Sequence, residues 1–220
     1  MSKPKPSPKT LPPTAKRDLV VLAADKDTEQ VIVGLLGART KSLQIRVVKY
    51  DTTIHPQHDP GCLLQSGAIV NRYVRTHEHA IVVFDRHGCG QDEKPREALE
   101  AEVEALLAKT WGDRTAVIVI VPELEAWVWT KPSHIPHVVG WLVDKPLPDW
   151  LVEKGFLDLS TQVKPVRQKE ALDAALHQAG EQHSSDIFRR IAEKVSFGKC
   201  TDPAFLKLLT TLRNWFPAVS

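Results

Sequence analysis

The chain lacks any long apolar run: nowhere do apolar residues continue for the ~18–20 positions that a membrane span needs. It has only three cysteines, Cys62, Cys89 and Cys200, in 220 residues. They are too few and too scattered for a disulfide framework, so a reducing, cytoplasmic setting is expected. The amino terminus holds Lys and Pro but no apolar h-region, and no secretory signal is expected there. No G-x-x-x-x-G-K-[ST] and no G-x-G-x-x-G follows any apolar run, which excludes a P-loop and a dinucleotide Rossmann site. A strong charge of one sign is also missing, since the formal net charge is +2. Residues 1–17 carry Lys3, Lys5, Lys9, Lys16 and Arg17, no acid, and five of the sixteen prolines. The body beyond them is therefore slightly acidic, unlike a dedicated nucleic-acid-binding domain. That leader reads as a disordered, basic, Pro-rich arm, either merely solubilising or in contact with polyanions.

What is present is enough apolar residue, 42%, for a packed core. DLVVLAAD (18–25) is a buried strand that closes on an acid. Asp27 then suits a helix N-cap, with Gln30 completing a capping box, and a helix runs to about Gly37. LQIRVVKYD (43–51) reads as a second strand. Asp59-Pro60 places a cap and an N1 proline before the next helix. HAIVVFD (79–85) is the third strand. Pro95 opens an acidic helix with Leu99, Val103, Leu106 and Leu107 on one face. TAVIVIVPELEAW (115–127) holds the fourth strand, stopped by Pro122. The alternation predicts an α/β fold with a mainly parallel four-stranded sheet flanked by helices over residues 18–130. Residues 131–220 begin with a Trp- and Pro-marked irregular stretch. Three helices follow: one closed by Gly180, one capped by Ser184 or Ser185, and one capped by Thr201 with Pro203 in its first turn. They are expected to form a helical annex packed on the sheet.

In parallel sheets, sites lie beyond the carboxyl ends of the strands. Asp25, Asp51, Asp85 and Glu123 all fall at such predicted ends. Clustered carboxylates repel one another, and burying even one unpaired is costly. A divalent cation resolves the conflict, with Mg²⁺ favouring a few carboxylates plus water and phosphate. The same ion activates water and neutralises charge on a phosphate. Phosphodiester chemistry is the reaction this pattern suggests first.

Three segments resemble a known family. VLAADKDTEQVI resembles the first strand–turn–helix of TOPRIM-type domains, and VVFDRHGCG resembles their later strand, which ends in Asp-x-Asp. PELEAW resembles the Glu-x-Glu-aromatic segment of TOPRIM-like nucleases of bacterial defence systems. The whole chain, with HPQHDPGCLL and CTDPAFLKL, resembles a TOPRIM-like accessory protein of methylation-associated anti-phage defence loci. The resemblance implies a TOPRIM-like domain over 18–130 and a metal-dependent nuclease site that binds Mg²⁺ or Mn²⁺. It puts Asp25 at the first acid, as metal ligand or proton-transfer group, and makes Asp85 the main metal ligand. His87 stands where the second Asp belongs. An imidazole suits Zn²⁺, Mn²⁺ or Ni²⁺ better than Mg²⁺, or serves as a general base. Glu123 and Glu125 match the late acidic pair, Glu123 being favoured as the one facing the site. The implied partners are nucleic acid and other subunits of a defence complex. The alternative is a non-catalytic binding or regulatory subunit that steers a methyltransferase, nuclease or ATPase.

Each residue also has a plainer reading. Asp25 and Glu123 suit first-turn helix chemistry, and Asp27 and Glu29 suit capping. His55, His58 and Cys62, with His87 and Cys89, could assemble a Zn²⁺ site, although their spacing matches no standard finger. Cys89 lacks the arginine of a phosphatase loop, since Arg96 comes too late, and Gly88 and Gly90 suit a tight turn. Arg189, Arg190, Lys194 and Lys199 read as a solvated helix face before a phosphate contact, and Trp127 and Trp129 as core anchors.

Overall fold

Each apolar run carries Val, Ile or Leu at successive positions, the composition of strands covered on both faces. The computed structural model describes residues 15–129, 135–158, 160, 164–194 and 200–218. In chain order the elements are β1 (Arg17–Ala23), α1 (Lys26–Ala38), α2 (Thr40–Leu43), β2 (Tyr50–Ile54) and α3 (His58–Val70). A 3₁₀ turn at Asn71–Tyr73 leads to β3 (His77–Asp85), α4 (Arg96–Trp111) and β4 (Thr115–Ile120). Then follow α5 (Glu125–Val128), α6 (Ile135–Val138), α7 (Leu147–Glu153), α8 (Gln168–Ala179), α9 (Ser185–Lys194) and α10 (Pro203–Trp215). The strands form one wholly parallel sheet of order β2-β1-β3-β4. No helix among the described residues is long and apolar enough to cross a membrane.

The two faces of the sheet have different covers. Val20, Leu22, Val82, Phe84, Val117 and Val119 meet α3 and α4 through Cys62, Leu63, Leu99 and Val103. Leu19, Val21, Ile81, Val83 and Ile118 share a core with α1 and with Phe188, Leu208 and Leu212 of the carboxyl-terminal helices. Helices α9 and α10 therefore help to cover one face of the sheet. Each such buried Leu or Phe contributes roughly 1.5–3 kcal/mol. α9 crosses α1 at Gly34, where an added Cβ would sit 2.7 Å from the Arg189 carbonyl oxygen. Only glycine permits that approach. At the outer edge, the Val117 and Val119 amides donate to Glu104 and Glu100 of α4, and Lys207 of α10 pairs with both acids. A covered strand edge cannot recruit another chain.

Several expectations need correction. Residues 43–49 are not strand: Leu43 ends α2, Gln44 is left-handed (φ 59°), and Ile45 bridges Pro217. Ile45 is buried against the carboxyl-terminal segment, and Val48 joins the core that α1 shares with the carboxyl-terminal helices, which explains their apolar character. Asp51 consequently lies near the amino end of β2, opposite Val20. The N-cap of α1 is Asp25, which accepts from the Thr28 amide at 2.8 Å, and not Asp27. Asp59 sits inside the first turn of α3 and does not cap it; the cap position is Gln57. Asp202, not Thr201, caps α10 by accepting from the Phe205 amide. Leu106 is 53% exposed, because the buried stripe of α4 is Leu99, Val103 and Leu107. Residues 1–14 of the expected arm, 130–134 of the irregular stretch, and Lys199 lie outside the described residues.

Candidate functional site

The helix after β1 covers one face of the sheet and the helix after β3 covers the other. The chain thus reverses its winding between these two neighbouring strands, which opens a crevice at their carboxyl ends. Asp25 follows β1, and Asp85 is the last residue of β3. Asp59 reaches the same place from α3, its Oδ1 accepting from the Asp85 amide at 2.8 Å. Asp85 Oδ2 accepts from the Leu124 amide at 3.1 Å, which ties in the turn after β4. Asp85 Oδ1 is buried with no hydrogen-bond partner.

The electrostatics agree with that picture. Burial, then the charge of Asp59, then those of Glu125 and Asp25, push the Asp85 carboxyl well above the usual carboxylate range. Burial and the Asp25 charge also raise Asp59, against the hydrogen bond from the Asp85 amide. Glu125, only 5% exposed, is raised by burial and by Glu123 and Asp27, with Lys169 opposing. Asp85 therefore feels Asp59, Glu125 and Asp25 through the interior, and the charge of Lys169 reaches Glu125 and Asp85 from the rim.

Glu123 and His87 form a separate pair at the rim. His87 Nδ1 and Glu123 Oε1 are 2.5 Å apart, and Lys169 of α8 lies 3.9 Å from Glu123 Oε2. Burial alone would lower the Lys169 pKa, but Glu123, Glu125, Asp85 and Asp173 outweigh it and hold the ammonium charged. So the late acidic pair divides: Glu125 is the buried member that acts on Asp85, and Glu123 turns to His87 and Lys169. Sequence reasoning missed Asp59, because Asp-Pro reads as a helix cap, and it missed Lys169, which no motif flags. Asp51 belongs elsewhere: at the amino edge it pairs with Arg17 and His77.

The residues of the Zn²⁺ alternative are otherwise engaged. His55 Nδ1 accepts from the Gln57 amide, and His58 Nδ1 meets the Ala24 carbonyl. Burial, then Asp59 and Asp25, push the Cys62 thiol up, away from the thiolate that a metal requires. Cys89 is buried and anchors its loop, with Gly88 and Gly90 both at φ 87°.

Among the described residues, no three His, Cys, Asp or Glu side chains stand ready-made as a metal cage. The donor set nonetheless fits a hard divalent cation: it consists of carboxylate oxygens, one of them buried without a donor. Binding would require the Asp25, Asp59 and Asp85 side chains to turn toward a common point. Comparison with protein-family models, with curated proteins and with solved structures finds no match to this chain.

Proposed function

We propose that this chain is a TOPRIM-like, metal-dependent phosphodiesterase that acts on nucleic acid within a bacterial anti-phage defence system. One observation supports the reading above the others: the buried, unpartnered Oδ1 of Asp85, surrounded by like charge at the crevice between β1 and β3. An apolar or hydrogen-bonded side chain there would be more stable, so the arrangement is retained at a cost and asks for a cation. Asp25, Asp59, Asp85 and Glu125 would hold Mg²⁺ or Mn²⁺. A divalent ion in such a site neutralises charge on a phosphate and promotes ionisation of water.

The protein's own groups supply the rest. Glu123 accepts from Nδ1–H of His87 and thereby fixes the ring, leaving Nε2 as the basic nitrogen. The His87 side chain is 64% exposed, so Nε2 can meet a substrate from solvent and take the proton of attacking water. Lys169 adds the positive charge that offsets a phosphate oxygen. The test is a supercoiled-plasmid nicking assay with Mg²⁺ or Mn²⁺, alongside Asp85→Ala. Metal-dependent nicking that disappears in the variant supports the enzyme.

A second reading, a non-catalytic TOPRIM-like binding or regulatory subunit, draws on His87 standing where the resemblance requires a second acid. Stabilisation by Mn²⁺ without nicking, together with co-purification of a partner subunit, would select it.

A further inference from the structure

Arg86 follows Asp85 directly, yet its guanidinium has no hydrogen-bond or ion-pair partner among the described residues. It is half-buried, a costly state for a free cation. It lines a groove of about 330 Å³ with Arg96, Val121, Pro203 and Ala204. One water occupies roughly 30 Å³ of liquid, so a phosphate group and the atoms on either side fit.

The surroundings favour an anion. One long helix presents an open start to this groove: α4 begins at Pro95 without a side-chain cap, whereas the start of α10 there is already capped by Asp202. Helix N-termini present positive potential and first-turn amides. The acids at the groove are committed elsewhere. Asp202 Oδ1 accepts from the Phe205 amide and from Trp127 Nε1, both at 2.9 Å. Glu97 is paired with Arg96 at 2.6 Å, and Arg96 also pairs with Glu100 at 2.9 Å. Arg86 is left as the guanidinium lining the groove that has no hydrogen-bond or ion-pair partner among the described residues. Along the end of β3, Asp85 and Arg86 are consecutive, so a cation-seeking acid and an anion-seeking base sit one residue apart.

We infer that this groove is a phosphate-binding subsite, which holds a neighbouring, non-reacting phosphate of a nucleic-acid strand beside the acidic crevice. A guanidinium fork matches phosphate geometry better than a point charge does. The choice of a nucleic-acid strand as the source of the phosphate rests on the function proposed above; the anion site itself does not.

The experiment measures fluorescence anisotropy of a labelled single-stranded oligonucleotide with the full-length protein in EDTA. Inorganic phosphate and a 5′-mononucleotide serve as competitors. Arg86→Gln is expected to weaken oligonucleotide binding by about tenfold or more, the loss of a hydrogen bond to a charged group. Arg86→Lys should fall between the two, since it keeps charge and loses the fork. Arg86 has no partner to lose, so Arg86→Gln should melt with the wild type; if it does not, Arg86→Lys decides. Competition by free phosphate or mononucleotide at similar concentrations assigns the site to free phosphate esters, and competition by oligonucleotide alone assigns it to the strand. Equal affinity of wild type and both Arg86 variants, or no Arg86-dependent binding of any of these anions, overturns the inference. Because the assay is free of metal, a failure of Mn²⁺ to bind would sink the proposed enzyme and leave this result standing.

Discussion

The two ends of the sheet treat the same residue in opposite ways. At the amino edge, Asp18 is held by the Arg46 guanidinium at 2.7 and 2.9 Å and by the Lys49 amide. Asp51 there is shared by Arg17 and by His77. At the carboxyl edge, Asp85 and Asp59 accept hydrogen bonds from backbone amides, with no ion pair among the described residues, and face other acids. The Arg46 hydrogen bond holds the Asp18 carboxyl below its ordinary range, and burial with like charge drives Asp85 above it. Paired acids at one end serve stability. Acids left unpaired at the other end make sense as a place where a cation belongs.

Exchanging the two losses should break this comparison most sharply. Asp85→Ala is expected to remove metal-dependent nicking by at least about a hundredfold, the scale of deleting one electrostatic contributor to a transition state. Asp18→Ala should leave nicking within a factor of about two, since it lies across the sheet from the crevice. Equal activity loss in both would mean that position on the sheet decides nothing.

Stability should run the other way. Removing Asp18 takes from Arg46 its carboxylate partner and from the Lys49 amide its acceptor, and is expected to cost about 2 kcal/mol in urea denaturation at neutral pH. Asp85→Asn keeps an oxygen for the Leu124 amide and removes a buried charge, so metal-free protein should gain on the order of 1 kcal/mol. Adding Mn²⁺ at about a hundred times its dissociation constant should stabilise the wild type by about 2.7 kcal/mol and leave Asp85→Asn unmoved.

The pH dependence follows with opposite signs. The Asp18 pKa is lowered on folding, so its contribution is present above the unfolded value and is lost as pH falls through the folded one. The Asp85 and Asp59 pKa values are raised, so their relative stabilisation is present below the unfolded value and is lost as pH rises through the folded ones. The Asp18→Ala deficit should therefore shrink toward acid, and the Asp85→Asn advantage should shrink in the same direction. Paired denaturation curves across acid to neutral pH measure both.

How much of this could be read from the residues depends on what kind of information each carries. Buried parallel strands announce themselves as apolar runs, so β1, β3 and β4 were legible within a residue or two. Ile45 and Val48 misled, since their burial serves the core shared with the carboxyl-terminal helices and not a strand. Asp25 and Asp85 were legible because a strand that ends on an acid is unusual in itself. Asp59 was not, because its bond runs to a β3 amide, and a cap and a cluster member look alike in sequence. The solitude of Arg86 had no sequence signature at all, since lacking a partner is a property of space.

The smallest effect tests whether lack of pairing is a property of the carboxyl edge or only of the crevice. Asp27 is two positions from Asp25, yet it is matched: His183 Nε2 lies 3.0 Å from its Oδ2, and Ser185 Oγ donates to its Oδ1 at 2.5 Å. His183 Nδ1 meets Asp173 at 3.0 Å, so one imidazole joins the start of α1 to the carboxyl-terminal helices. Burial alone would lower the His183 pKa, but hydrogen bonds to Asp27 and Asp173 raise it. Its stabilisation is therefore complete below the unfolded histidine value and is lost as pH rises through the raised one. The side chain is 41% exposed, so solvent screening limits the effect to less than about 1 kcal/mol. His183→Gln should be destabilised by that amount in mildly acidic solution and should equal the wild type in alkaline solution. A deficit that persists unchanged at alkaline pH would mean that the link is packing and not charge. Asp27 would then no longer be a neutralised acid beside Glu125, the buried acid that feels its charge.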